Sequence, residues 1–489
     1  MIWIYTVAYL MSCILASFHF YIASGALLIV MAAVLYADTY RETGRILNIT
    51  GLYSLSLVGG QGISCLKLSY IQTDWAPMTW ICFYLAFIGF RAGNRICLDR
   101  QKPASAQKKA GSKKYTEPFR MIADKVSYPL RRFTACRHLS CRRLLIMNCL
   151  LAGLTWLTFA VEAAVLGFIP LFVRGVPHAY SIFHITGVHY FTVSCVLCPA
   201  FSLIWYVKTK ETAGSSSQDD ATCSSDAENS TEKTPGMREK LLASASALTG
   251  FAIPVLCVSR FQLVFSLMLA VFVWIVICER RGRIRQRTLI MLGCGCVLIL
   301  VPAYIVLTIA RSHDAEYLKS VFEMKKDYPI VVSHFYIYIA NNFDNFDCLV
   351  KNIAAHTFGR RMLFPLWALT GLKFLFPQLA VNDYFITKME LGTLTLFYDA
   401  YYDFGVAGVT VFALLIGMIG TYLESKVLQK ADVCALMLYG QFAIYIGLTF
   451  FTTWFSNPTT WFYVGVTVLL CLLSLEKTAK AKDPAEPEP

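Results

Sequence analysis

The sequence predicts an all-α, polytopic transmembrane helical protein of about twelve spans, and three observations carry that prediction. Of its 489 residues, 56% are hydrophobic and only 15% are charged, whereas soluble domains carry about a quarter charged residues. The mean hydropathy is +0.54. Several apolar runs exceed the roughly 18 to 20 residues needed to cross a hydrocarbon core. These runs lack strand-like alternation, and in lipid every backbone polar group must be paired within its segment, so they are expected to be helices. Length alone would suggest two or three soluble domains. Here it suggests one membrane domain, 1–475, with loops attached and a tail over 476–489.

The spans follow in order. Met1-Ile2-Trp3-Ile4 has no basic residue, so the first run, 1–18, reads as a retained span and not as a cleaved signal peptide. A tight turn near His19 leads into 20–37, followed by 48–66 and 75–90. The fifth and sixth spans cover 144–164 and 188–207. The seventh, 241–258, turns at Ser259-Arg260 into the eighth, 261–278. The ninth is 288–310, the tenth 402–423, the eleventh 432–451 and the twelfth 459–475.

Orientation follows from the basic residues, which stay cytoplasmic near span ends. Segment 91–143 holds fifteen Lys/Arg against Asp99, Glu117 and Asp124, nearly the whole formal charge of +13. Such a patch beside a span points to a membrane surface and not to nucleic acid. Glu279 to Arg287 adds five arginines, and Arg41, Arg45, Lys426 and Lys430 also follow even-numbered spans. Twelve helices with both termini cytoplasmic satisfy all of these. The Ser-rich 208–240 linker and the tail after the last span read as disordered, because neither can bury enough apolar surface. The odd connections are then external. Most are short, but 311–401 is long, charge-balanced and aromatic, with short apolar helical stretches such as Met362 to Phe376. A loop of that length in a compact protein is usually functional.

Familiar soluble motifs are missing: there is no GxxxxGK[ST], no HExxH and no Rossmann glycine fingerprint. The 17 cysteines lie mostly in apolar runs, where they act as small hydrophobes. Cys195-x-x-Cys198 within the sixth span is read as packing. Cys136, His138 and Cys141 are three metal-ligand types lacking a nearby fourth, and no metal site is expected. His178, His184 and His189 cluster before the sixth span, as solvated interfacial residues or as a catalytic base.

The charged residues near the external side are the informative ones. Glu162 sits in the apolar fifth span, where a carboxylate needs a cavity, a partner or a route to the interface. Arg260 stands in a turn of almost no length. There a guanidinium can bind phosphate bidentately or anchor a lipid headgroup. Arg174, Arg311, Arg360 and Arg361 are further external arginines, together suited to a pyrophosphate. The run Tyr336 to Asp347 interleaves aromatics with amides and acids. Aromatic faces stack on sugars and amides bind hydroxyls, although an interfacial aromatic belt has the same composition.

The run from Thr393 to Gly408 is a threonine, then aromatics, then Asp403-Phe404-Gly405-Val406-Ala407-Gly408 opening a late span. It resembles the O-antigen-polymerase family of oligosaccharide repeat-unit polymerases. Ser259-Arg260 is similar to that family's Ser-Arg turn between two middle spans. Gly167-Phe168-Ile169-Pro170-Leu171 matches in part its Gly-x-x-Pro-Leu segment, and Gly62 to Ser69 followed by Trp75 is similar as well. The resemblance covers most of the membrane domain and leaves 91–143 and 208–240 without a counterpart.

The resemblance implies a metal-independent glycosyltransferase of a bacterial plasma membrane, with no cofactor. It would join undecaprenyl-pyrophosphate-linked repeat units for surface polysaccharide, with membrane lipid around it and a chain-length-regulating co-polymerase as partner. The expected pyrophosphate ligands are Arg260 first, then Arg174, Arg311, Arg360 and Arg361. Asp403, Asp399, Glu162 and His334 are the base or sugar-binding candidates, and Asp403 can equally cap the tenth helix. Tyr336, Tyr338, Asn341, Asn342 and Tyr398 are the expected sugar contacts. Two other classes stay open. A lipid-linked oligosaccharide flippase or transporter should show repeated halves or broken midplane helices, and the sequence has no clear internal repeat. A glycan ligase would share the donor chemistry.

Overall fold

The computed structural model describes residues 1–101, 137–173, 179–216, 235–282, 315–380, 383–429 and 432–477. Within these the chain is mostly helical, with one short two-stranded sheet. Seven helices are long and apolar enough to cross a membrane: Tyr21–Thr43, Pro77–Asp99, Cys141–Leu166, Val188–Glu211, Met237–Leu256, Arg260–Arg280 and Tyr398–Gln429. Ile2–Ser17, Val433–Gly447 and Pro458–Leu473 are shorter apolar helices. Ile49–Tyr53 passes through a π turn, Ser54–Gly59, into Gly60–Cys65. Helical segments thus stand at eleven of the twelve predicted positions. The ninth, 288–310, lies outside the described residues, as do most of the basic loop, most of the 208–240 linker and the tail beyond 477.

Local chemistry sets the helix ends. Ser140 accepts the Arg143 N–H to start Cys141–Leu166, and Gly167 in the left-handed region ends it. Asp432 caps Val433–Gly447, while Asn457 and Pro458 open the last helix. Helices Pro77–Gln101 and Tyr398–Gln429 approach so closely that a Cβ on Gly93 would lie 2.0 Å from the Leu414 carbonyl oxygen, and one on Gly89 2.7 Å from that of Thr410. Gly89-x-x-x-Gly93 is the small-residue spacing that lets helices in lipid pack backbone to backbone.

The two ends of the bundle are built differently. At one, short ion pairs tie helix termini together. Arg45 Nη1 meets Glu424 Oε1 at 3.2 Å, the Ile46 N–H donates to Glu279 at 2.8 Å, and Arg281 pairs with Glu211. At the same end Arg143 meets Glu476 at 2.8 Å. A two-stranded antiparallel sheet there joins Arg137–Leu139 to Leu475–Lys477.

The other end is roofed by residues 315–397. This segment is more ordered than a loop, because it contains a 23-residue helix, Ile330–Asn352, most of which is buried. The sequence reading missed that helix because its inward face carries Asn341, Asn342, Asp344, Asn345 and Asp347, which break the apolar pattern that marks a core helix. Each of these polar side chains meets a partner in the surrounding structure. Met362 to Phe376, in contrast, does hold the short helices expected of it, Phe364–Leu369 and Leu372–Leu375.

Candidate functional site

Beneath the roof, a cleft of about 120 Å³ opens where helix Arg260–Arg280 begins. Arg260, His334, Tyr338 and Asn341 line it, together with Tyr180, Tyr317, Glu390 and Thr393. The turn that delivers Arg260 is tight. Val258 has φ +54°, a backbone region that costs an L-residue about 1–2 kcal/mol and is rarer still for a β-branched one. Val258 is nonetheless buried against Leu263 in an apolar cluster. Burial of the valine holds the strained turn, and the turn sets Arg260 as the first residue of its helix. Arg260 is 8% exposed, and its Nη2 donates to the Tyr338 hydroxyl at a long 3.5 Å. The His334 ring packs at a tilt against Phe322 and against Tyr338, with centroids at 5.2 and 4.6 Å. A cationic group, an imidazole and phenols therefore share one accessible space.

The second arginine cluster has a different character. Arg361 Nε donates to Asp399 Oδ1 at 2.6 Å, and Nη1 donates to the Asp383 carbonyl at 3.2 Å. Its guanidinium carbon lies 4.6 Å from the Tyr402 ring centroid, 5.1 Å from Tyr384 and 5.2 Å from Tyr398. Burial disfavours the charged guanidinium, but the Asp399 carboxylate outweighs it and raises the pKa further.

Asp403 completes this knot. Its carboxylate accepts the Met362 N–H at 2.7 Å, the Arg361 N–H at 3.2 Å and the Thr357 hydroxyl. Just beyond, Gly405 breaks the Tyr398–Gln429 helix with φ 60° and ψ −146°, a conformation open essentially to glycine alone. His356 fills the space, since a Cβ on Gly405 would lie 3.0 Å from its Nε2. The Asp-Phe-Gly-x-x-Gly run thus acts here as an anchor and a kink, and it holds the loop that carries Arg361. Arg360, next to it, keeps a buried Nε that finds no acceptor among the described residues.

The expected sugar contacts divide between cleft and scaffold. Tyr338 and Asn341 line the cleft. The Asn342 amide donates to the carbonyls of Tyr338 and Phe450, and its oxygen accepts from Thr393 at 2.5 Å. Asn345, quoted in the same run, donates to the carbonyls of Leu391 and Thr393. The Tyr336 hydroxyl donates to Gln72 at 2.5 Å and accepts the Leu68 N–H, and burial pushes its pKa up. Tyr398 bonds both polar groups of the Phe385 backbone. These side chains clamp the 383–393 strap and the 66–76 loop. Asp344 does the same, taking Lys67 at 2.5 Å, Gln72 at 2.7 Å and Trp75 at 2.8 Å.

Glu162 has found a partner and is fully buried. It accepts from Ile185 N–H at 3.0 Å and Thr192 at 2.8 Å, and it faces His189 Nδ1 at 3.1 Å. It therefore orients His189, which keeps its ring partly exposed. Arg174, Arg311, His178 and Cys136 lie outside the described residues, as does the side chain of His138. Sequence reasoning passed over Glu390, Tyr317 and Tyr180. Each stands in a short irregular stretch or a helix of eight residues or fewer, and no local pattern marks them; Asn341, Asn342 and Asn345 hold the segment with Glu390 at the cleft through Leu391 and Thr393.

The helices define the class: an all-α, polytopic membrane protein. In comparisons with protein-family models, curated proteins and solved structures, the chain has no match.

Proposed function

We propose that this chain is an oligosaccharide repeat-unit polymerase of a bacterial plasma membrane. It crosses the membrane twelve times with both termini cytoplasmic. The observation that carries the reading is the convergence of Arg260, His334 and Tyr338, from two separate helices, in one cleft at the end of the bundle away from the basic ion pairs. The resemblance of the Asp-Phe-Gly-x-x-Gly run and the Ser-Arg turn to the polymerase family supports it.

The chemistry follows from the arrangement. The growing glycan leaves its undecaprenyl pyrophosphate and joins a sugar hydroxyl on a fresh lipid-linked unit. Negative charge develops on the departing pyrophosphate near the headgroup plane, where a fixed guanidinium stabilises it without a metal. Tyr338 and Asn341 offer a ring and an amide to the sugars.

The test is direct. Purified protein in nanodiscs, given undecaprenyl-pyrophosphate repeat units, should yield a ladder of longer glycans. Movement of the lipid-linked unit between leaflets with no ladder would favour the flippase reading, and transfer only to a different acceptor the ligase. Orientation is tested separately with reporter fusions at 110, 225, 350 and 485. Those at 110, 225 and 485 should report the cytoplasm and that at 350 the outside; an external signal at 110 would invert the topology.

A further inference from the structure

Among the described residues that line the cleft, Glu390 is the one carboxylate. Four other acids of this end are already engaged. Asp403 holds three donors, Asp399 holds Arg361, Glu162 holds His189 and Thr192, and Asp344 holds Lys67, Gln72 and Trp75. A carboxylate saturated with donors is a poor proton acceptor, because those bonds stabilise its charged form. Glu390 is exposed. Its neighbour Lys388 is turned to Glu323 at 2.6 Å instead. The turn that carries it, Met389–Leu391, is fixed on the far side. The Leu391 carbonyl accepts from Asn345 at 2.7 Å and from Asn341 at 3.3 Å, and Thr393 bonds Asn342. The side chain is accessible while its backbone is rigidly placed, which is what a base needs to act without reorganisation.

We infer that Glu390 is the proton acceptor of the transfer reaction, lining the same cleft as the arginine that receives the leaving group. This rests on the polymerase reading above. In the step, the acceptor sugar hydroxyl gives its proton to the Glu390 carboxylate. Its oxygen forms a new bond to the anomeric carbon of the donor. The bond from that carbon to the phosphate oxygen breaks, and the electron pair departs on the pyrophosphate beside Arg260. The carboxylate and the guanidinium belong to different elements, the Met389–Leu391 turn and helix Arg260–Arg280. The strap thereby gains a catalytic purpose: the asparagines of helix Ile330–Asn352 act as positioning residues for the base.

The experiment uses the full-length protein in nanodiscs with undecaprenyl-pyrophosphate repeat units. Glu390→Gln should lower kcat by about a hundredfold or more, within the range of general-base catalysis. Membrane levels and the Kd for the lipid-linked unit should stay at wild-type values. Glu390→Asp should recover part of the rate, and added formate should partly rescue Glu390→Ala, which a structural role would not allow. Wild-type kcat in Glu390→Gln overturns the inference, most pointedly if His334→Gln abolishes turnover in the same assay. A wild-type protein that makes no polymer overturns the polymerase reading and this inference together. Polymer from wild type and from Glu390→Gln alike overturns the inference alone.

Discussion

Arg361 and Arg260 stand at the same end of the bundle, are almost equally buried at 6% and 8% exposure, and are both surrounded by tyrosines. Their bonding separates them. Arg361 is met at 2.6 Å by Asp399, at 3.2 Å by a carbonyl and on three sides by ring faces. Arg260 has its phenol contact at 3.5 Å and borders an open cleft. Residue type and burial therefore do not identify a binding arginine. What distinguishes these two is their surroundings: Arg361 is locked to Asp399, and Arg260 lines a cleft. A buried arginine locked to its own carboxylate is a structural keystone; one that lines a cavity is open to approach from that cavity.

The largest effect is expected at Arg361. Arg361→Ala leaves Asp399 buried without its counter-ion, and removing one partner of a buried pair costs about 3–5 kcal/mol. We expect a large loss of folded protein, read by fluorescence-detected size exclusion and thermal unfolding in detergent. Arg361→Lys should also be unstable, because an ammonium lacks the planar fork that fits between carboxylate and carbonyl and beneath the rings. A stable, active Arg361→Ala would mean that the knot does not hold the roof.

At Arg260 the damage should fall on rate and spare folding. A charge-assisted hydrogen bond is worth about 1.5–3 kcal/mol. Losing one that forms fully in the transition state slows turnover about tenfold to a hundredfold. Arg260→Ala should therefore insert normally and make little or short polymer, with Arg260→Lys intermediate, as glycan gels beside membrane levels will show. Wild-type polymer from Arg260→Ala would reduce this arginine to an interfacial anchor.

Two smaller changes sharpen the contrast. Gly405→Ala forces a methyl toward His356 and a side chain into a backbone region that only glycine tolerates, a strain of roughly 1–3 kcal/mol. It should lower the unfolding temperature, and its effect should be much reduced in an Arg361→Ala background, where the knot is already undone. Tyr338→Phe removes one hydroxyl from the cleft, worth about 0.5–1.5 kcal/mol. Turnover should fall less than about tenfold with no change in stability. A greater loss would show that the hydroxyl touches the reacting groups.

Reading from sequence to structure, the legible features were those written in local periodicity or backbone chemistry. The apolar runs and the tight Ser259-Arg260 turn are of this kind. Helix Ile330–Asn352 was not legible, because a helix that buries asparagines and aspartates against a polar strap has no apolar stripe. Asp403 and Asp399 were ranked as possible bases for a related reason. A sequence shows that a carboxylate is present but not how many donors surround it.

Hydropathy and charge along the chain were enough to mark a helical membrane protein, to gather its basic residues between particular spans and to put an arginine in a turn of almost no length. Hydropathy, charge and turn length are properties of contiguous residues, so no tertiary information was needed. The packing of distant segments was needed to show that Arg361 is locked to Asp399, that Glu162 holds His189, and that Glu390 lines the same cleft as Arg260 from 130 positions along the chain. The reason is electrostatic: the chemical state of a buried charge depends on the groups within a few ångströms, and here those groups come from distant segments.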